Sequence, residues 1–169
     1  MQRGFSLIEL AIGLLLISIV TVLAAPAFNV WIQNARIRNA AEGILNGFQL
    51  ARAEAVRRNA SVQLIFDAGA AWSVSTVATG TEIQKRVTTA DSSTAFVAIT
   101  PNGADRVTFN GMGWLAANDD GSPVITQVDV TSALLSGDEI RPLRVTVGAG
   151  GIMKMCDPAL TAGDPRACS

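Results

Sequence analysis

Histidine and tyrosine are both absent from this sequence of 169 residues. Their absence removes the commonest metal ligand and the commonest general base, so the chain is poorly equipped for catalysis. Charge is scarce as well, since charged residues make up 16% of the chain and the net charge is −1. A chain this close to neutrality has no overall electrostatic preference for nucleic acid or for an anionic membrane. We therefore expect no enzyme activity, no metal and no cofactor.

The motifs that usually carry chemistry are missing or weak. Serines are plentiful, but a nucleophilic serine needs a base and the sequence offers no histidine. The sequence GAGG at 148–151 opens no predicted helix, which argues against a phosphate-binding loop. Four carboxylates beside turn-forming residues are predicted to be solvated, and two tryptophans to pack in the core or in turns: Asp119, Asp120, Asp138, Glu139, Trp72 and Trp114.

The two cysteines, Cys156 and Cys168, both lie near the C-terminus, in the sequence CDPALTAGDPRACS. Two thiols that close a short loop predict a disulfide in an exported protein. Such a loop would stabilise the fold by about 3 kcal/mol in the chain-entropy model. The alternative is a pair of inert free thiols. A zinc site would need two further ligands, and no histidine exists to supply them.

A long apolar run near the N-terminus dominates the sequence. No ionisable residue occurs from Leu10 to Phe28, and at about 1.5 Å per residue this segment nearly crosses a hydrocarbon core of about 30 Å. A cleaved secretory signal is the alternative, because a short basic leader precedes the run and AAPA at 24–27 could serve as a cleavage site. Three features oppose it: Glu9 interrupts the apolar core, the run is long for a signal, and the pattern continues into a helix.

Beyond Phe28 the sequence is amphipathic. Apolar residues recur at spacings of three and four and form one stripe: Ile37, Ala41, Ile44, Leu45, Phe48, Ala51 and Ala55. The pattern predicts one helix from about residue 5 to 59, with an apolar first half and with Asn59 as its stop. Pro26 should kink this helix, because proline removes a backbone hydrogen bond and crowds the preceding turn.

Short runs rich in valine, isoleucine and threonine follow the helix, separated by glycine, asparagine, aspartate and proline. They predict strands at 61–66, 72–77, 82–87, 95–100, 106–109, 124–130, 143–147 and 152–155. No segment between them fits a parallel crossover helix, so the sheet is expected to be mostly antiparallel and packed on the amphipathic helix. The fold class is therefore α+β, with a long kinked N-terminal helix against a β-sheet head.

The N-terminal sequence GFSLIEL, in which Gly4 ends a short basic leader and Glu9 is the fifth residue after it, resembles the processing motif of type IV pilins and pseudopilins. Pro26 also falls where many members of that family carry a helix-kinking proline. Three later segments, FQLARAEAVRRNASVQL, VTFNGMGWL and CDPALTAGDPRAC, resemble the H-type pseudopilin and minor-pilin group (GspH/FimT, FimU-like). The resemblance implies a pilin-like fold of the same α+β class.

The resemblance also implies a maturation step. A prepilin peptidase would cut after Gly4 and methylate Phe5. The Phe5 amine and the Glu9 carboxylate would then be opposite charges in a low-dielectric setting, and Glu9 would meet the N-terminal amine of a neighbouring subunit. The alternative is a Glu9 that reaches the lipid headgroups without a partner. A subunit at the extreme tip can lack this glutamate, so Glu9 predicts a position below the tip.

A location and a set of partners follow from the same resemblance. Residues 1–4 would be the leader, 5–29 the transmembrane and assembly helix, and 30–169 a periplasmic head that includes the amphipathic helix to about residue 59. The protein would be a single-pass inner-membrane protein before it enters an extracellular or periplasmic filament. Its partners would be prepilin peptidase and other minor pilins with the major pilin, or other pseudopilins.

Three functions stay open at this point. The first is a minor pilin that helps to initiate a type IV pilus, the second an H-type pseudopilin of type II secretion, and the third a DNA-receptor minor pilin. Relatives of the third kind carry a GRxR-like segment before the first C-terminal cysteine, where this chain reads GGIMKMC with only Lys154 basic, while Arg166 lies inside the cysteine loop. Phosphate contacts need several clustered cations, so DNA binding is disfavoured.

Charge is distributed unevenly along the chain. Residues 30–60 hold five arginines and two glutamates, whereas residues 61–169 hold seven basic and eleven acidic side chains. The basic helix surface is either a solvated face or a contact for the acidic heads of neighbouring subunits, where complementary charge would set register.

Overall fold

The computed structural model describes residues 6–87, 95–135 and 137–168. Helix α1 spans Leu7–Arg58 and passes through Pro26 without interruption. Asn59 ends it, as predicted, with a left-handed φ of 48°. The Asn59 amide donates to the Val56 carbonyl and the Ala60 amide to the Ala55 carbonyl, which is the Schellman pattern that satisfies the last carbonyls of a helix.

The chain divides into two compact units, Met1–Ile32 and Gln33–Ser169. In the first unit α1 carries an 18-residue window with a mean hydropathy of 2.6 and no buried residues, so by length and composition it could cross a membrane. The second unit, called the globular unit below, contains the rest of α1 and all the strands of the described residues.

Nine short strands follow α1 in the described residues: β1 Val62–Phe66, β2 Trp72–Thr76, β3 Glu82–Arg86, β4 Ala95–Thr100, β5 Arg106–Phe109, β6 Leu115–Ala116, β7 Gln127–Ser132, β8 Leu143–Val147 and β9 Met153–Cys156. A short 3-10 helix at Gly137–Glu139 lies between β7 and β8. The two-residue strand β6 is absent from the sequence prediction, since two residues give no periodicity. The predicted strand at 124–130 begins later, because the Ile125 amide bonds to the Arg106 carbonyl instead.

The strands form two antiparallel sheets rather than the single sheet expected. Strands β3-β2-β1-β5-β6 make the first sheet and β4-β7-β8-β9 the second. The sheets separate because β4 pairs along its whole length with β7, from Ala95 opposite Ser132 to Thr100 opposite Gln127, and with neither of its neighbours in sequence. Sequence patterns do not record such a long-range pairing choice.

One hydrophobic core joins α1 to both sheets. The predicted helix stripe is buried apart from Leu45, which is half-buried, and it gains three small residues, Ala40, Gly43 and Gly47. The rings of Phe48 and Phe66 meet edge to face at a centroid distance of 6.1 Å. This face therefore fixes the helix against the first sheet.

Candidate assembly site

Glu9, the carboxylate within the N-terminal motif, lies at the start of α1. The Ser6 carbonyl accepts hydrogen bonds from the amides of Glu9 and Leu10 at 3.1 and 3.2 Å, which places Glu9 in the first helical turn. Its side chain is exposed, and no other described residue pairs with it. The helix dipole favours a negative charge at this end. Gly4 and Phe5, the predicted processing residues, lie outside the described residues.

Around and beyond Glu9, the helix surface is almost wholly apolar. Large hydrophobic side chains from Leu7 to Phe28 are at least half exposed. The two hydroxyls at Ser18 and Thr21 donate back to the carbonyls of Leu15 and Ile17, both at 2.8 Å. Those bonds leave no unsatisfied hydroxyl donor there, as a hydrocarbon environment requires. Glu9 is therefore the one ionisable group on this exposed face of residues 7–28.

The carboxylates predicted to be solvated lie at the surface and serve local structure. Asp120 accepts a hydrogen bond from the Ser122 amide and forms an ion pair with Arg106 at 3.0 Å. The Ser122 hydrogen bonds, helped by Arg106, hold the pKa of Asp120 below its usual value. Asp138 and Glu139 are exposed on the 3-10 helix. Among the described residues no cluster of acidic or cysteine side chains could hold a metal ion.

The predicted disulfide between Cys156 and Cys168 is present, with the Cα atoms 5.0 Å apart. It closes a loop whose ends also meet through the hydrogen bond from the Asp157 amide to the Arg166 carbonyl. Inside the loop Arg166 donates to Asp164, and this contact lowers the pKa of Asp164 to about 2. The loop is therefore closed by the disulfide and by hydrogen bonds between its own residues.

Most cations of the globular unit are held by carboxylates of the same chain. The ion pairs of the described residues are Arg38–Glu42, Arg57–Glu54, Arg58–Glu54, Lys85–Asp67, Arg106–Asp105, Arg106–Asp120, Arg144–Asp129 and Arg166–Asp164. Each pair lowers the positive potential that a phosphate backbone would meet.

Two glycines on α1, which the apolar stripe predicted from the sequence does not include, let the first sheet approach closely. A side chain at Gly43 would collide with the Arg86 guanidinium, whose Nη2 donates to the Asn39 carbonyl at 3.2 Å. A side chain at Gly47 would lie 2.7 Å from the Trp72 ring. The buried Trp72 donates its ring N–H to the Gly43 carbonyl at 3.1 Å. Two glycines four residues apart on the predicted helix are the feature of the sequence that could have predicted this close contact between α1 and the first sheet.

The two tryptophans of interest behave differently. Trp72 lies in the core, as predicted, with 3% of its surface exposed, whereas Trp114 is 56% exposed and belongs to no core. Asn110 accepts hydrogen bonds from the Met112 and Trp114 amides, so a tight turn directs Trp114 outwards. Of the two predicted places, the core or a turn, Trp114 therefore lies in a turn, with more than half of its surface exposed.

Two family models match the sequence. The model described as "Type II transport protein GspH" matches residues 40–151, which is more than half of the chain. The chain belongs to the GspH family. The model described as "Prokaryotic N-terminal methylation motif" matches residues 1–25, where Gly4, Phe5 and Glu9 lie. The family assembles with other pilins and is processed by prepilin peptidase at this motif.

Solved structures agree on the fold of this GspH-family chain. Two crystal forms of the type IV minor pilin FimU of Pseudomonas aeruginosa PAO1 match it, at 17% and 16% identity and TM-scores of 0.52 and 0.53. The matches cover 70% and 74% of this chain and 90% and 91% of FimU. No curated protein matches. The pilin fold, a long N-terminal helix on antiparallel sheets, is thus shared by the two proteins.

Proposed function

We propose that this chain is a minor pilin, a low-copy structural subunit that helps to initiate a type IV pilus near, but below, its tip. The observation that carries the proposal is Glu9, the one carboxylate on the exposed apolar face of residues 7–28. A charged side chain at the centre of a membrane helix costs about 2.5–3.5 kcal/mol on insertion scales, a charge nearer the edge costs less, and pairing lowers the cost further. A partner from another subunit would remove that cost.

The proposed partner is the N-terminal amine of a neighbouring subunit. Prepilin peptidase would cut after Gly4, and the methylated amine of Phe5 would carry the positive charge. Pairing Glu9 with the amine of a neighbour favours the docked subunit and fixes its axial register, since a displaced helix would bury an unpaired charge. Pro26 would kink the helix within the membrane segment of residues 5–29.

Type II secretion is the second candidate, because the matching family model carries the description of a type II transport protein. The proposed pairing of Glu9 with a neighbour's amine, and the exposed apolar helix around it, would be the same in a periplasmic pseudopilus. The similarity to FimU, a type IV minor pilin, supports the pilus. The intramolecular pairing of the cations weighs against a DNA receptor.

A deletion strain separates the two candidates. Sheared surface pili and secreted exoprotein are quantified from the same culture, with the wild-type gene restored in trans as the control. Loss of pili with secretion intact is the expected result. Intact pili with exoprotein trapped in the periplasm would instead make the chain a secretion pseudopilin.

Replacing Glu9 tests the assembly role directly. Glu9→Ala is expected to be processed normally and to be missing from sheared filaments, because the amine of the neighbour would have no partner. Glu42→Ala is the matched control, since Glu42 pairs only with Arg38 of the same helix at 2.9 Å, and the Glu42 side chain is 46% exposed. Normal incorporation of Glu9→Ala would remove the proposed pairing.

Replacing Gly4 tests the processing site. A bulky residue there should leave the leader attached, so mass spectrometry of the variant should find the unprocessed chain. A mature N-terminus at Phe5 in that variant would contradict cleavage after Gly4.

A further inference from the structure

Three asparagines of this chain are followed directly by glycine: Asn46, Asn102 and Asn110. In such a pair the backbone nitrogen of the glycine can attack the side-chain carbon Cγ of the asparagine, because glycine has no side chain to hinder the approach. The attack needs an asparagine side chain that is free to rotate and a glycine nitrogen that makes no other bond. The fold meets these two conditions differently at the three positions.

Asn46 lies within α1, where the helix opposes the reaction. Gly47 is an internal helical residue, so its amide donates to the carbonyl four residues earlier, that of Gly43. Gly47 is also buried against the Trp72 ring. Attack by the Gly47 nitrogen would break the helical hydrogen bond and disturb this packing. The helix therefore protects Asn46.

Asn110 lies in the β5–β6 turn, and hydrogen bonds hold its side chain in place. Its Oδ1 accepts from the Met112 and Trp114 amides at 3.0 and 3.1 Å. Gly111 lies against Asn59, since a side chain added at Gly111 would be 2.7 Å from the Asn59 Oδ1. Both hydrogen bonds would have to break before Cγ of Asn110 could meet the Gly111 nitrogen. The turn therefore restrains Asn110.

Asn102 lies in the turn between β4 and β5 and is the least restrained of the three. The Ala104 amide donates to the Pro101 carbonyl at 3.1 Å, which closes a β-turn with Asn102 and Gly103 at its centre. Both central residues are exposed, and Gly103 has a φ of 83°. Within the described residues, neither the Asn102 side chain nor the Gly103 amide makes a hydrogen bond. The space beside the Gly103 α-carbon is open as well.

We propose that Asn102 is a site of spontaneous deamidation in the folded protein. A bond forms between the Gly103 nitrogen and Cγ of Asn102, and the bond from Cγ to Nδ2 breaks. The Gly103 amide loses its proton to a base in solution, while Nδ2 takes up a proton and leaves as ammonia. Water then opens the succinimide ring, at Cγ to give aspartate or at the Asn102 backbone carbonyl to give isoaspartate. No electrons are transferred, and water is the co-reactant.

The turn that would change links the two sheets of the globular unit. Strand β4 belongs to the second sheet and β5 to the first, so residues 101–105 carry the chain from one sheet to the other. Isoaspartate routes the backbone through the former side chain and so adds a methylene group to the turn. Ala104, whose amide closes the turn, is buried with 7% of its surface exposed. Isoaspartate should therefore break the Ala104 hydrogen bond and disturb its packing.

Peptide mapping of the full chain tests the proposal. The purified, folded protein is held in detergent at mildly alkaline pH, and samples taken over time are digested after arginine and lysine. The three asparagines then fall in separate peptides, because Arg52, Arg86 and Arg106 lie between them. The peptide 87–106 contains no other asparagine and no glutamine, so its conversion from amide to acid reports Asn102 alone.

Asn102 should convert faster than Asn110 by about tenfold or more, because the two hydrogen bonds on the Asn110 side chain add to its barrier. The chain unfolded in urea is the matched control, where the three pairs should convert at similar rates since only the fold distinguishes them. Equal rates at Asn102 and Asn110 in the folded protein would overturn the proposal. So would a rate at Asn102 that folding slows as much as it slows the rate at Asn110.

Asn102→Gln separates the effect of deamidation from other changes during the incubation. Glutamine closes the corresponding larger ring far more slowly, so the variant should keep its peptide unmodified and its Tm constant. The parent should lose about 3 °C in Tm as isoaspartate accumulates, the equivalent of the Ala104 hydrogen bond. Labelling by an isoaspartate methyltransferase should rise in the parent and not in the variant. Equal labelling of the two, or an unchanged Tm of a fully converted parent, would contradict the proposed modification and its effect on the turn.

Discussion

Gly47→Ala should destabilise the globular unit although alanine is the better helix former. The added methyl group would lie 2.7 and 3.0 Å from two atoms of the Trp72 ring and 2.8 Å from Leu64, all of them buried. Overpacking of this kind costs about 1–3 kcal/mol. The gain in helix propensity offsets about 1 kcal/mol of that cost. We expect a net loss of about 1 kcal/mol.

Gly43→Ala is the matched control on the same helix face. Its methyl group would displace the Arg86 guanidinium, the far end of a flexible side chain, and remove the Arg86 hydrogen bond to Asn39. That bond contributes about 0.5–1.5 kcal/mol, which roughly cancels the gain of about 1 kcal/mol in helix propensity. Gly43→Ala should therefore leave the free energy of unfolding nearly unchanged.

Thermal unfolding of residues 33–169, followed by circular dichroism, provides the comparison. For a domain of this length 1 kcal/mol shifts Tm by about 3 °C, so Gly47→Ala should melt about 3 °C below Gly43→Ala. In a Trp72→Phe background the Gly47→Ala loss should shrink, because the smaller ring leaves room for the methyl group. An equal rise in Tm for both single variants would refute the view that Gly47 sets the distance between helix and sheet.

Two further predictions concern the C-terminal loop and the end of α1. Replacing Cys156 and Cys168 together by serine should lower the free energy of unfolding by about 3 kcal/mol, measured by urea denaturation, while an unchanged midpoint would remove the disulfide's stabilising role. Hydrogen bonds from Arg57 and Arg58 lower the pKa of Glu54 from 4.5 to about 2, so its stabilising contribution is present above pH 4.5 and disappears as the pH falls towards 2. Glu54→Gln should lower Tm at pH 7 by an amount equivalent to about 1 kcal/mol or less, as is usual for surface pairs, and the difference from the parent should vanish near pH 2.

Local signals account for the parts of this fold that the sequence predicts. The end of α1 depends on Asn59, a residue that tolerates the left-handed conformation, and most of the strands depend on β-branched runs between turn residues. The fold class and the family motif at residues 3–9 need no tertiary information either. Each of these features is decided by neighbours in the chain.

Features that depend on distant contacts escape a reading of the sequence. Leu115 joins β6 only because β5 lies beside it, with Phe109 opposite Leu115. Trp114 looks like a core residue by type, yet the turn at Asn110 directs it outwards. Arg52 is one of several helix arginines in the sequence, and only the structure shows that it donates a hydrogen bond to the Gly113 carbonyl. Arg52 takes its role from a partner 61 residues away in the chain, and Leu115 takes its role from the strand beside it.

Folding and assembly draw on different parts of this chain, and variants should separate accordingly. The buried core begins at Ile37 and includes no residue of the exposed apolar segment from Leu7 to Phe28. A change at Glu9 therefore removes no core contact, so a filament defect in Glu9→Ala with an unchanged melting curve would be a defect of assembly. A change at Gly47 acts on the core, so any filament defect of Gly47→Ala should follow its loss of stability and diminish at lower temperature. If Glu9→Ala lowered the melting temperature of the full-length chain as Gly47→Ala does, this separation would be wrong.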